Sequence, residues 1–301
     1  MAINLGLGAG LGGSAGAGYV ATFEQNIRFL AQQMGSRLRP YVQERGLASA
    51  KHTWERVAQQ NAVTKAGRSV ATPTNTSTVW SRRVSVPQVK HMAELIEPED
   101  AQQMLIDPTS TVTQVFGYGM GRAFDDIIIA AATGNSVDGE GVARVLATDA
   151  PGQIIAAAAG ITLDIAGKVL QQFLLNDIPA DIGKVMVITP RQARYLVSIA
   201  QATSRDYVEA KFLESTGIIK HWMGFDWVVS TRLTGGGSVS ASLLAMTQRA
   251  IGLMIDKDTW ARVAEDPTRS FATQVYTAFT AGATRVEDEH IVVVNALDNA
   301  A

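Results

Sequence analysis

The longest regular pattern of apolar positions lies in residues 107–134. Asp107 is a favourable N-cap residue, Pro108 fits the first helical position, and Gly134 predicts a left-handed residue after the helix ends. The pattern therefore predicts one long helix, the spine helix, of roughly 38 Å. Small and apolar residues recur there at spacings of three and four, which predicts one buried face: Val112, Val115, Phe116, Gly119, Ala123, Ile127, Ala130 and Ala131.

Three glycines interrupt the middle of this predicted helix: Gly117, Gly119 and Gly121. Each costs about 1 kcal/mol relative to alanine in a helix interior, so packing must hold the helix together. Glycines at these positions allow a bend or the close approach of another segment. Asp125 and Asp126 are adjacent and so point in different directions, which favours a structural spine over a catalytic pair.

The chain before the spine helix begins as an arm. Residues 1–18 are nearly all Gly, Ala, Leu and Ser, a composition typical of a mobile segment. Residues 20–35 have the period of a helix. Residues 36–60 carry mixed charges, which is typical of an exposed or interfacial segment.

A Thr-, Ser- and Val-rich stretch follows, at residues 61–90. Its alternation predicts strands at 69–72 and 78–86, with a turn at 73–75 between them. Because an isolated two-stranded ribbon is only marginally stable, we expect this hairpin to lie against something else.

The remaining pattern predicts a series of strands and two further helices. Thr162 is predicted to cap a helix that ends near Asn176 and buries four side chains: Ile165, Val169, Phe173 and Leu174. A buried strand from Lys184 precedes a helix that starts at Thr189 and Pro190. The other predicted strands are 89–95, 218–222, 226–230, 243–247, 250–255, 259–264, 271–281 and 291–296. This order predicts an α+β fold with two lobes.

The composition argues against several classes of function but does not indicate one by itself. The 301 residues are 47% hydrophobic, so a sizeable core is expected. The net charge is −2, whereas a dedicated nucleic-acid binder is expected to be strongly basic. The absence of cysteine excludes disulfides and thiolate metal sites, and the four histidines lack metal-ligand spacing. We predict no metal and no cofactor. No apolar run approaches the ~20 residues of a membrane span.

Two short motifs suggest chemistry that their context does not support. Residues 8–13 match G-x-G-x-x-G and residues 12–16 match G-x-S-x-G, but no strand precedes either, and low complexity makes such matches common. Residues 138–141, DGEG, lack the ligand spacing of a calcium loop and predict a turn. We predict no catalytic residues.

Charge is distributed unevenly around the predicted hairpin. The hairpin carries Lys65, Arg68, Arg82 and Arg83 with no acid, whereas the segment after the strand at 89–95 carries Glu97, Glu99 and Asp100. A solvated hairpin is one interpretation. The other is an arm that reaches the acidic surface of a neighbouring subunit.

The order of these elements resembles a tailed-bacteriophage major capsid protein of the Hong Kong 97 fold, over residues 20–297. The matching features are the arm, the basic hairpin, the acidic helix start and the long helix ending in 124–134, FDDIIIAAATG. Residues 185–192 resemble the start of that family's axial domain, and 223–226 with Ser230 resemble its Gly-Phe-x-Val-x-x-Ser segment. The last strands, with Gly282 and Arg285, resemble its peripheral sheet.

The resemblance implies a domain organisation. Residues 1–54 would be an N-terminal arm and 55–90 an extended β-hairpin loop. Residues 91–150 and 256–301 would form a peripheral domain with the spine helix at 108–133, and 151–255 an axial domain. Members with a fused scaffolding segment have a longer N-terminus, so a separate scaffolding protein, an earlier cleavage, or neither is expected here.

It also implies a function. Pentamers and hexamers of this chain would form an icosahedral virion shell around double-stranded phage DNA, assembled in the host bacterial cytoplasm. DNA contacts would be non-specific, and scaffolding, portal and decoration proteins would be further partners. The hypothesis for the subunit contacts pairs Lys65, Arg68, Arg82 and Arg83 with Glu97, Glu99 and Asp100 of an adjacent copy.

Two alternatives stay open from the sequence. An encapsulin-type compartment of the same fold would enclose a cargo enzyme instead of a genome. An enzyme using the glycine-rich start is the alternative from another class, but the sequence shows no acid, base and nucleophile set to support it.

Overall fold

The computed structural model describes residues 32–46, 49–65, 67–71, 79–99, 108–157, 160–179, 181–199, 219–233 and 240–297. The helices are α1 Pro108–Thr133, α2 Leu146–Asp149, α3 Leu163–Leu175 and α4 Pro190–Ser198, with 3-10 turns at Arg39–Tyr41, Pro151–Gln153 and Asp288–His290. The strands are β1 Gln43–Gly46, β2 His52–Val57, β3 Trp80–Ser85, β4 Gln88–Ile96, β5 Ser136–Asp138, β6 Ala143–Arg144, β7 Ile154–Ala157, β8 Lys184–Ile188, β9 His221–Trp222, β10 Phe225–Val229, β11 Ser240–Thr247, β12 Ile251–Asp266, β13 Ala272–Arg285 and β14 Ile291–Leu297.

The described strands form three sheets. The spine sheet has the order β1-β12-β13-β4. The spine helix α1 packs on this sheet, where the ring centroids of Phe124 and Phe279 of β13 lie 4.1 Å apart. The central sheet has the order β7-β14-β11-β8-β10-β9, and the loop sheet the order β2-β3-β5-β6. One apolar cluster runs from the spine helix through the central sheet, so both share a core.

The bounds predicted for the spine helix are confirmed, and its buried face is correct in part. Phe116 is buried, Ala123, Ile127 and Ala131 pack half-buried against the core, and Ala130 is exposed. The buried residues lie one step further around the helix: Met120, Gly121, Phe124, Asp125, Ile128, Ile129 and Ala132. Asp125 misled the prediction, since a carboxylate normally marks a solvent-facing row.

The predicted close approach at the helix glycines is confirmed at Gly121. A Cβ atom there would lie 2.5 Å from the Cα of Gly35, whereas one on Gly117 would meet nothing within 4 Å. We expect Gly121→Ala to lower the free energy of unfolding by about 1–2 kcal/mol through overpacking. Gly117→Ala should raise it by up to about 1 kcal/mol through helix propensity. Urea unfolding of both variants checks this pair, and equal stabilisation would contradict the close packing.

The predicted hairpin is correct in one strand and wrong in the other. β3 falls within the predicted 78–86, but residues 69–71 form no strand, and the predicted turn at 73–75 lies outside the described residues. β3 instead pairs antiparallel with β2, from His52 opposite Ser85 to Val57 opposite Trp80. The partner strand was missed because residues 36–60 are so highly charged.

Other predicted elements have mixed outcomes. The helix caps at Thr162 and Thr189 are confirmed, each accepting a backbone N–H, but Leu174 is 51% exposed. The strands predicted at 250–255 and 259–264 are one strand, β12, with irregular register between Ile255 and Trp260. Residues 32–35 are not helical, so the C-terminal bound predicted for the helix at 20–35 is wrong. Asp107, the rest of that helix and residues 1–18 lie outside the described residues.

The predicted division into peripheral and axial domains meets one topological difficulty. β14 lies within the predicted peripheral range 256–301, yet it pairs with β11 and β7 of the central sheet. The other central-sheet strands all fall within the predicted axial range 151–255. The division into two domains stays a prediction. Its sheet pairing places β14 with the strands of the predicted axial domain.

Candidate functional site

The residues predicted to make subunit contacts lie on the loop sheet and beyond the end of β4. Lys65 and Arg68 are exposed in the connection between β2 and β3, and Glu97 and Glu99 are exposed directly after β4. Asp100 lies outside the described residues. Within the described part of the chain, no ion pair joins the basic set to the acidic set.

The two loop arginines differ sharply. Arg82 is exposed and its Nε lies 2.9 Å from the Oε1 of Glu55 on β2. Arg83 is only 5% exposed, and its Nη2 donates to Asp288 at 2.6 Å. Because alternate residues of a strand point to opposite faces, neighbouring arginines have different surroundings. Arg83 is bonded within its own subunit, and the inter-subunit contact predicted for it stays a prediction.

The outer face of the loop sheet carries exposed apolar side chains beside the Glu55–Arg82 ion pair. Val57 and Trp80 lie directly opposite each other, and they are 54% and 67% exposed. Val84 pairs with Val137, which is 39% exposed, and continues the same face. The Glu55–Arg82 pair lies between these two apolar pairs, and exposed apolar side chains rimmed by charge are typical of an interaction surface. Sequence reasoning missed this face because it considered only the charges of the hairpin.

The inner face of the loop sheet is seated on the spine sheet by Trp54. Trp54 is 3% exposed, and a Cβ atom on Gly252 of β12 would lie 2.3 Å from its ring. The guanidinium of Arg45 lies 4.5 Å from the ring centroid, a cation–π contact. The missing side chain at Gly252 thus makes the hollow that receives the indole.

A buried charge cluster beside this contact joins the loop sheet to the body. Asp288 accepts hydrogen bonds from Arg83 of β3, through its Oδ2, and from the Nε of Arg285 of β13, through its Oδ1. Arg56 of β2 lies 4.0 Å from the same carboxylate and 3.3 Å from that of Glu289. Arg285 is fully buried, and Asp288 is 4% exposed. We call Arg83, Arg285 and Asp288 the junction.

Arg285 also caps the C-terminus of the spine helix. Its Nη1 donates to the carbonyl oxygen of Gly134 at 2.7 Å, and its Nη2 to that of Arg144 at 2.9 Å. Gly134 is not left-handed, and its N–H continues the helical pattern to Ala130 at 2.8 Å, so the predicted glycine cap is wrong. A cation at this end is favoured by the helix dipole. The junction therefore connects helix, loop sheet and β13.

Asp125 of the spine helix anchors the segment at residues 33–38. Its fully buried carboxylate accepts from Gln33 Nε2 and Ser36 Oγ, both at 2.5 Å, and from the backbone N–H groups of Arg37 and Leu38 at 3.1 Å. This arrangement fixes where residues 33–38 cross the helix. The signal in the sequence was an acid flanked by Phe124 and Ile128, within an apolar row.

Asp126 points elsewhere, as the sequence predicts. It forms a paired ion bridge with Arg232, with Oδ2 2.6 Å from Nη2, and both side chains are more than 40% exposed. The turn predicted at residues 138–141 is also confirmed. Asp138 accepts from the N–H groups of Glu140 and Val142 at 3.0 and 2.9 Å, so its carboxylate closes a turn.

Glu287 and Asp258 are among the described carboxyl groups whose pKa values are lowered. A hydrogen bond from His290 lowers the pKa of Glu287, and one from Arg39 lowers that of Asp258. A lowered pKa means that the charged carboxylate stabilises the folded state. This stabilisation is fully present above the ordinary pKa, which is 4.5 for Glu287 and 3.8 for Asp258, and it is lost as the pH falls.

We therefore expect the free energy of unfolding to decrease as pH falls through about 4.5 and below. Urea unfolding from neutral to acid pH measures this, with Asp258→Asn as the comparison. The variant should lose less stability over the acid range than the wild type. An identical pH dependence of the two proteins would contradict the role assigned to the Arg39–Asp258 pair.

In the described ranges, no group of three or more His, Asp or Glu side chains is placed to hold a metal ion. Among the helices of the described ranges, none has the length and apolar character needed to span a bilayer.

Comparison with known proteins agrees with this architecture. A family model described as phage capsid protein matches residues 15–298. Among curated proteins, none matches the sequence. Solved structures match over nearly the whole chain. The capsid of the cyanophage P-SCSP1u has a TM-score of 0.73 at 14% identity, covering 93% of both chains.

Two further structures have a TM-score of 0.70. They are the capsid of Ralstonia phage GP4, at 9% identity with 96% of this chain and 98% of that chain covered, and the capsid of a native GTA particle, at 13% identity with 97% and 99% covered. At such low identities the likeness shows the fold, a mixed helix and sheet arrangement predicted from the order of the elements.

Proposed function

The chain belongs to the phage capsid protein family, and from that premise we propose how it functions as a major capsid protein. Copies of the chain form pentamers and hexamers that close an icosahedral virion shell around double-stranded DNA. The observation that carries this proposal is the match of the family model to residues 15–298, with a fold shared over more than nine-tenths of several capsid chains. The same findings do not favour the encapsulin-type compartment.

The subunit surfaces support a structural role. The loop sheet presents Val57 and Trp80 to solvent beside the exposed Glu55–Arg82 ion pair, so apolar and charged side chains share one face. Such a composition is that of a protein–protein interface. We propose no catalytic activity. Scaffolding, portal and decoration proteins, non-specific DNA contacts and assembly in the host cytoplasm stay predictions.

We propose that the contact between subunits pairs the basic loop with the acidic segment after β4 of an adjacent copy. Lys65, Arg68 and Arg82 contribute the positive charges, and Glu97, Glu99 and Asp100 the negative ones. Each exposed pair contributes only about 0.2–1 kcal/mol, but every copy in a shell repeats it. Small energies per contact therefore sum over the particle.

Charge reversal tests this contact. We expect Lys65→Glu with Arg68→Glu to lower the yield of particles about tenfold, since two attractive pairs per contact become repulsive. Adding Glu97→Lys and Glu99→Lys should restore particles, because the swapped charges again attract. Sedimentation velocity of the four-fold variant, the double variant and the wild type measures the yield. Wild-type yield from the double variant would argue against the pairing.

A further inference from the structure

The inner face of the loop sheet is unusually polar for a buried surface. His52 lies opposite Ser85, Trp54 opposite Arg83, and Ser136 continues the same face on β5. In the described part of the chain, one polar atom of each of these side chains is buried without a hydrogen-bond partner: His52 Nε2, Trp54 Nε1, Arg83 Nε, Ser85 Oγ and Ser136 Oγ. Such a face gains less from burial than an apolar core does.

Besides the Arg56–Glu289 ion pair and the bond from Arg285 to the carbonyl of Arg144 on β6, two contacts join this face to the body. Trp54 fits the hollow over Gly252, which is a non-directional apolar contact. The junction supplies the directional contact, because guanidinium and carboxylate groups bond in fixed planes. Arg83 and Asp288 meet at 2.6 Å, and Arg285 extends the network to the carbonyl of Gly134 at the end of the spine helix.

We infer that Asp288 is a positioning residue that sets the angle between the loop sheet and the spine helix, and through it the curvature of the shell. The second half of this inference rests on the proposed function. Contacts between identical subunits close a shell only when the rotation between neighbours is fixed. A loop sheet that turned on Trp54 would offer its apolar face and its charges at varying angles.

The structure explains why Asp288 would carry this role. The carboxylate lies within reach of three arginines from three strands: Arg56 of β2, Arg83 of β3 and Arg285 of β13. Without its charge, Arg83 loses its carboxylate partner on the body, and Arg56 keeps only Glu289 among the described residues. The pairing of β2 with β3 and the Trp54 contact do not involve Asp288 and would persist.

Distance measurements in the full-length protein test the angle directly. The sequence contains no cysteine, so Thr53→Cys on β2 and Gln114→Cys on the spine helix, both exposed, carry a unique pair of spin labels. Electron–electron resonance would be recorded in dilute, unassembled protein. The variants are Asp288→Asn and Arg83→Lys, which retains the charge and removes the planar fork. Asp126→Asn is the matched control, because it removes an Asp–Arg pair away from the loop sheet.

We expect one narrow distance in the wild type and in Asp126→Asn, and loss of that narrow peak in Asp288→Asn and Arg83→Lys. Particles from these two variants should vary in diameter by electron microscopy. A narrow wild-type distance in a folded Asp288→Asn protein would overturn the inference, and Arg83→Lys decides it if Asp288→Asn does not fold. Uniform particles despite a broadened distance would overturn the link to curvature. A wild-type chain that forms no particles would refute the proposed function while the distances still test Asp288.

Discussion

Replacing Arg285 with methionine is expected to lower the free energy of unfolding by about 3–5 kcal/mol. Methionine fills a similar volume, so the loss reports the guanidinium rather than a cavity. Its removal leaves the carboxylate of Asp288 buried with a weaker set of partners and takes a donor from the carbonyl of Gly134. Buried acceptors without partners are costly because water cannot replace the lost bond.

Urea unfolding measures this loss, with Arg232→Met as the control. Arg232 also pairs with an aspartate, Asp126, but both side chains are exposed, so its loss should cost about 0–1 kcal/mol. If the two variants lost equal stability, the junction would be no stronger than a surface ion pair.

Replacing Asp125 with alanine is expected to lower the free energy of unfolding by about 3–5 kcal/mol as well. The substitution removes the acceptor for four groups of the 33–38 segment, including the backbone N–H groups of Arg37 and Leu38. Those donors are held against the helix and would be left without that partner. Because these bonds hold the segment on the helix, residues 33–38 should also become accessible to protease.

The adjacent residue provides the control for this prediction. Asp126→Ala changes the same residue type on the same helix, but at an exposed ion pair, and should cost no more than about 1 kcal/mol. Chemical unfolding and limited proteolysis followed by mass spectrometry measure both effects. Resistance of residues 33–38 to protease in a destabilised Asp125→Ala protein would contradict the anchoring role.

Local chemistry made several elements of this fold predictable. Pro108, Thr162 and Thr189 mark helix starts because their effects act within one helical turn. The turn after β5 follows from residues 138–141 for the same reason. The order of these elements was enough to predict the fold, although no single motif was.

Features that depend on distant residues were not predictable in this way. The true partner of β3 is β2, more than twenty residues earlier in the sequence, and nothing local distinguishes it from the nearer 69–72. Asp125 and Arg285 look like surface charges until the segments that surround them are known. The bond of Arg83 to Asp288 was not predicted because Asp288 lies 205 residues away in the chain.

Single-particle cryo-electron microscopy of the purified protein tests the central claim most directly. The account predicts closed icosahedral particles of pentamers and hexamers, in which the exposed face with Val57 and Trp80 is covered by an adjacent copy. A monomer at low and high concentration alike, with that face exposed to solvent, would contradict it.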